Sequence, residues 1–162
     1  MILLTSTTPA PCRVTRQPEQ PMHEVVAYRA GAAPAGWPAA PGGAVRDGSG
    51  RPAVAHFAPG RWLVPTSGLD LTAWFAVAAP LCSVVDVTGK WCAFAVAGPG
   101  SRRLLQTSIA IDAVLDGRDC AAVVLFDCPA VVARTIEGYI AWVQASYAAD
   151  FLTAALRFGA VD

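Results

Sequence analysis

The chain has 162 residues, with 12 basic and 12 acidic side chains, so its formal charge at neutral pH is zero. That length fits one domain able to bury about 70% of its extended surface, and the balanced charge offers no electrostatic footprint for nucleic acid or an anionic membrane. Residues are 54% apolar and 15% charged, below the ~25% usual in soluble domains, so apolar surface is expected to remain for a partner.

Met1-Ile2-Leu3-Leu4 gives way at once to polar and proline-rich sequence. With no basic region and no long apolar run, neither a signal peptide nor a membrane span is expected, and the expected location is cytoplasmic. The five cysteines (Cys12, Cys82, Cys92, Cys120 and Cys128) are odd in number and form no C-x-x-C pair. They read as reduced, mostly buried thiols.

Nine of the 13 prolines and seven of the 14 glycines fall in the first 60 residues. Residues 1–52 therefore read as a Pro/Gly-rich segment with one or two short strands, leading into a compact α+β unit over 53–162 within one domain. Gly31 to Gly50 reads as a loop, because Gly and Pro sustain neither helix nor central strand. Short apolar runs predict strands at Glu24–Tyr28, Val54–Phe57 and Trp62–Val64, the last stopped by Pro65. Asp70 is placed to cap a helix through Ala78, with Leu71, Trp74, Phe75 and Ala78 on one face. Ser83–Val87 and Trp91–Ala97 suggest an antiparallel hairpin around Thr88-Gly89-Lys90. Both alternating sets of the second strand are apolar, which predicts cover on both faces.

Gly98-Pro99-Gly100 ends that strand and starts a helix over Ser101–Gln106. Ala121–Phe126, Val131–Thr135 and Tyr139–Val143 predict three more strands. A helix over Tyr147–Phe158, capped by Ser146, closes the chain, with Phe151, Leu152, Ala155 and Leu156 on its apolar face. The elements make an α+β domain with a mainly antiparallel sheet and two or three helices.

The sharpest chemical signal is Gly98-Pro99-Gly100-Ser101-Arg102-Arg103. A glycine turn opening a helix beside two arginines can hold a phosphate or a folate glutamate, so Gly98, Gly100, Arg102 and Arg103 are anion-site candidates. The third glycine of a dinucleotide fingerprint and the Gly-Lys-Ser/Thr of a phosphate loop are missing. A plain strand-to-helix turn with surface arginines is therefore the preferred reading. His23 and His56 lack a nucleophile elbow or metal-ligand spacing around them. Cys82 and Cys92 would face each other across the hairpin. Asp86 and Asp112 could form a carboxylate pair, but Asp86 bonding its own turn at Thr88-Gly89 and Asp112 capping a turn is preferred. Lys90 is the sole lysine, so Schiff-base chemistry has one site, with nothing near it in sequence to activate it. Trp37 lies in the Gly/Pro loop, where nothing local is expected to bury it, and is the partner-interface candidate.

Several of these residues carry a resemblance. Phe57-Ala58-Pro59-Gly60-Arg61-Trp62-Leu63-Val64 is similar to the L-G-P-x-E-W-L-L strand of sarcosine oxidase gamma subunits. Val85-Asp86-Val87-Thr88, followed by Gly98-Pro99 and Leu104-Leu105, resembles a signature shared with the aminomethyltransferase/folate-binding superfamily. Ile111-Asp112, Arg134-Thr135 and Ser146-Tyr147-Ala148 with Leu152 fall where gamma subunits carry L-D-L, R-T and R-S-Y-A-x-x-L. The order holds from Val14 to Leu156. Arg61 replaces an acidic residue, Ala145 replaces an arginine, and the loop after Asp112 is short.

The resemblance implies a folate-binding-type fold and a non-catalytic gamma-type subunit of a complex that oxidises sarcosine to glycine. It places FAD, FMN, NAD and a folate-linked site on larger partner subunits and zinc on a tiny one. It leaves this chain with no cofactor or metal of its own and folate as the one ligand to consider. The alternative is a free-standing folate-binding or one-carbon-transfer protein of the same superfamily. Members of that kind are about twice this length, which favours the subunit.

Overall fold

The computed structural model describes residues 11–29, 32–65 and 81–161. The helix expected over Asp70–Ala78 lies outside them. Among the described residues ten strands form two five-stranded, wholly antiparallel sheets. In chain order the strands are β1 (Arg13–Arg16), β2 (Met22–Ala27), β3 (Ala44–Arg46), β4 (Pro52–Ala58), β5 (Arg61–Pro65), β6 (Cys82–Asp86), β7 (Trp91–Ala97), β8 (Cys120–Leu125), β9 (Cys128–Arg134) and β10 (Gly138–Gln144). The described helices are α1 (Ser101–Gln106), α2 (Ile111–Val114) and α3 (Ala148–Arg157), with a 3-10 turn at Ala145–Tyr147 before α3. The class is α+β, as the sequence predicts.

Sheet 1 runs β1-β7-β10-β9-β8 and sheet 2 runs β3-β4-β5-β2-β6. Between them lies a core of Met22, Ala55 and Leu63 from sheet 2 against Ala93, Cys120, Val131, Ala133, Ile140 and Trp142 from sheet 1. The other face of sheet 1 packs Val14, Phe94, Val96, Val132, Ala141 and Val143 against Leu104 and Leu105 of α1, Ile111 of α2 and Phe151 and Ala155 of α3. The other face of sheet 2 buries Val25, Val54, Trp62, Val64 and Cys82, with Trp37 packed against them. β7 and β10 are thus apolar on both faces because each lies between two cores.

The hairpin expected between Ser83–Val87 and Trp91–Ala97 does not form. β6 pairs with β2 in sheet 2, whereas β7 pairs with β1 and β10 in sheet 1. Val87 N–H donates to Met22 O, and Met22 N–H donates to Thr88 Oγ1 at 3.0 Å. These bonds hold the first strand on β2, while the doubly apolar β7 takes a central place. Cys82 and Cys92 consequently lie on different sheets.

The closing helix also differs. Ser146 sits in the 3-10 turn rather than capping, and α3 has no side-chain cap. Its buried face is Ala148, Phe151 and Ala155, while Leu156 is exposed. The 31–50 stretch is better bonded than its composition predicts. It contains β3, Gly42 N–H donates to His56 O, His56 N–H donates to Gly43 O, and Gly42 O accepts from Asp119 and Cys120 N–H.

Candidate functional site

The fold gathers several of the sequence-selected residues at one corner of sheet 1. Gly98, Pro99, Arg102 and Arg134, with Thr135, Glu137 and Tyr139, line a shallow depression of about 500 Å3. Gly98 adopts φ +97°, and a Cβ there would lie 2.8 Å from Pro11 O. Gly138 adopts φ +148°, and its Cβ would run into Val96 O and crowd Ser101. Gly138 lets the start of α1 sit against the first residue of β10, and Gly98 lets the turn pass close to the backbone at Pro11, so the Gly-Pro signature answers a packing demand.

The backbone of the turn is not an open anion cradle. Gly98 N–H donates to Glu137 O, Gly100 N–H to Pro11 O at 3.1 Å, and Ser101 N–H to Gly98 O. Arg102 is committed to Asp112, with Nε–Oδ1 and Nη2–Oδ2 both 2.8 Å. Gln106 Nε2 also donates to Asp112 Oδ2 at 2.7 Å. The Arg102 guanidinium, then Gln106, holds the Asp112 carboxyl below the usual range. Asp112 therefore clamps α2 to α1 rather than capping a turn. Arg134 Nη2 donates to Leu115 O at 3.1 Å, and Arg103 is exposed on α1.

The other selected residues lie apart. Asp86 accepts Thr88 N–H at 2.8 Å within its own turn, which together with the Thr88 hydroxyl keeps its pKa low. It is remote in structure from the Arg102–Asp112 clamp, being in sheet 2. Trp62 donates its indole N–H to Pro38 O at 3.0 Å and so fastens the proline loop. Ser146 and Tyr147 lie in the turn before α3. Trp37 is half-buried, edge-on to Trp62 with ring centroids 6.1 Å apart. The expectation that nothing local could bury it is corrected.

Groups able to do chemistry are held quiet. His56 is 2% exposed and stacks on Trp62 at 4.4 Å, and burial pushes its pKa down. Burial raises the pKa of Cys12, Cys82 and Cys128, and takes Cys120 to about 12. Such thiols are poor nucleophiles at neutral pH. Half-buried Cys92 accepts a hydrogen bond from Arg16 Nη2 at 3.3 Å. Among the described residues no cluster of three or more His, Cys, Asp or Glu is placed to hold a metal, and no helix is long and apolar enough to cross a membrane.

One constellation went unnoticed in the sequence. Glu24, 5% exposed, takes Arg61 Nε at 2.8 Å and Nη2 on Oε1, and Lys90 Nζ at 3.2 Å on Oε2. Arg61 also lies over Phe57 and Lys90 over Trp91. The signal was a glutamate inside the apolar run Met22–Ala27, since a buried carboxylate demands cationic partners. It binds β2, β5 and the β6–β7 turn together. A cleft of about 510 Å3 opens between the sheets beside Gln17–Gln20, with Arg51, Asp47 and Ser49 on its rim and Ile140 and Trp142 on its floor. Asp47 there accepts Ser49 Oγ, Ser49 N–H and Arg51 N–H, so its carboxylate is ionised and occupied.

No protein-family model matches the chain, and no curated protein matches it. Among solved structures, a chain of the heterotetrameric sarcosine oxidase from Corynebacterium sp. U-96, in complex with pyrrole 2-carboxylate, is similar. The TM-score is 0.68 at 19% identity, covering 93% of this chain and 87% of that chain. At that identity the likeness is one of fold.

Proposed function

We propose that the chain is a non-catalytic, gamma-type subunit of a heterotetrameric sarcosine-oxidase-like complex. Oxidative demethylation of sarcosine to glycine would proceed on larger partner subunits holding FAD, FMN and NAD, in the cytoplasm. The observation that carries this reading is the fold likeness to a chain of such a heterotetramer over 93% of these residues. Two further observations support it. The corner residues Gly98, Pro99, Arg102 and Arg134 are occupied with packing and internal bonds. The buried imidazole and the four thiols with raised pKa are unsuited to catalysis at neutral pH.

The test is to purify the chain alone and in co-expression with the larger subunits of a sarcosine-oxidase-like operon. The isolated chain is expected to lack flavin absorbance and sarcosine turnover, and the co-expressed assembly to have both. Turnover by the isolated chain would overturn the reading. Folate binding by the isolated chain, without association, would favour the free-standing alternative.

A further inference from the structure

Sheet 1 ends at β1 and β8, and sheet 2 at β3 and β6. An edge strand offers unpaired N–H and C=O groups, and folded proteins blunt it with charge, shortness, a bulge or cover. β1 carries Arg13 and Arg16, and Val161 covers it: Val14 N–H donates to Val161 O, and Val161 N–H to Cys12 O. β3 has three residues, a register shift and Arg46. β6 ends on Asp86. β8 reads Cys-Ala-Ala-Val-Val-Leu, with no charge and no proline.

The direction of its free groups follows from the pairing. Arg134 N–H donates to Asp119 O, and the hairpin closes with Leu125 opposite Cys128. Ala121, Val123 and Leu125 therefore turn their ladder groups toward β9, as does the Asp119 carbonyl, while the Asp119 N–H goes to Gly42 O. Alternation turns those of Cys120, Ala122 and Val124 outward. Cys120 N–H is already taken by Gly42 O at 3.0 Å. Ala122 and Val124 are exposed, Val124 to 56%, and their outward groups have no partner among the described residues.

We propose that the Ala122–Val124 edge receives a short, extended, apolar segment of a larger partner subunit as an added strand of sheet 1. The proposal rests on the subunit reading above. The slot is short, closed at one end by Gly42 and at the other by the β8–β9 turn. A second copy of this chain fits it poorly. Two-fold pairing that sets Ala122 opposite Val124 also sets Asp119 opposite Asp127, and like charges so placed repel. It further drives the second copy's hairpin tip onto the Gly42 backbone. The partner segment is instead expected to carry a basic residue where it passes Asp127. Backbone bonds supply the attachment, and the exposed Val124 and Ala122 side chains select an apolar strand.

The experiment is amide hydrogen exchange on the complex co-expressed with the larger subunits, alongside the free chain. Ala122 and Val124 amides should exchange at least about tenfold more slowly in the complex. Val124→Pro removes one outward N–H without touching the β9 ladder, and Val124→Lys puts a charge on the exposed side chain while leaving the backbone free. Both should lower the amount of complex at least about tenfold, with Val124→Ile unchanged. A complex that forms with both amides still exchanging fast would overturn the docking proposal and leave the subunit reading standing. A complex indifferent to Val124→Lys would overturn it equally. If no complex forms, the subunit reading fails and this proposal fails with it.

Discussion

His56 shows how a residue that attracts functional attention can be structural. It faces Trp62 across the β4–β5 pair, with its ring stacked and buried. Burial disfavours its protonated form, so its folded pKa lies below the unfolded value of about 6.5. The sign follows from linkage. Below that value the unfolded chain gains a proton that the folded chain resists, so stability is full above pH ~6.5 and declines as the pH falls. The slope for one such group is at most about 1.4 kcal/mol per pH unit. The carboxylates with lowered pKa, Asp47, Asp86 and Asp112, act lower still. Denaturant midpoints measured from pH 7.5 to 5 should therefore fall in the wild type. In His56→Phe, which keeps an aromatic ring against Trp62, they should be much flatter. An equal decline in both would assign the effect elsewhere.

At the scale of elements, most strands and two of the three described helices were legible from alternation and punctuation. Pairing was not. The Thr88-Gly89-Lys90 turn looked like a hairpin, and Gly89 does adopt φ +79°. Yet what decides the partners of β6 and β7 is Met22, more than sixty residues upstream of that turn, and the second core over β7. The β8–β9 connection is the converse case. It is a true two-residue hairpin turn, built without the Asn-Gly signal: Phe126 and Asp127 take φ +49° and +64°. Phe126 is held there by ring contacts to Phe151 and Phe158 and by its N–H donating to Ser108 Oγ at 2.7 Å. Asp127 makes no contact of that kind among the described residues, so Asp127→Gly should relieve backbone strain at little cost. A gain of about 0.5–1 kcal/mol is expected, seen as a Tm higher by roughly 1–4 °C. A fall in Tm would mean that the aspartate side chain stabilises the turn.

At the scale of the whole molecule, the sequence revealed the signature residues but not their purpose. Gly98, Pro99 and Arg134 do converge, around the Arg102–Asp112 clamp, while Trp62 and Asp86 belong to the other sheet. Convergence of that kind depends on sheet order, which no local spacing encodes. The Glu24–Arg61–Lys90 cluster was hidden for the same reason, since its three members come together only through β2, β5 and the β6–β7 turn. What remains outward-facing is an uncharged strand edge on a chain with few charges, the arrangement expected of a protein that completes its surface with another. The most direct measurement is the mass of the affinity-tagged chain after co-expression with the larger subunits, by native mass spectrometry with each component identified. The account predicts one copy of this chain in a stoichiometric, flavin-containing heterotetramer. A chain recovered alone, monomeric and soluble at high concentration beside the untouched larger subunits, would contradict it.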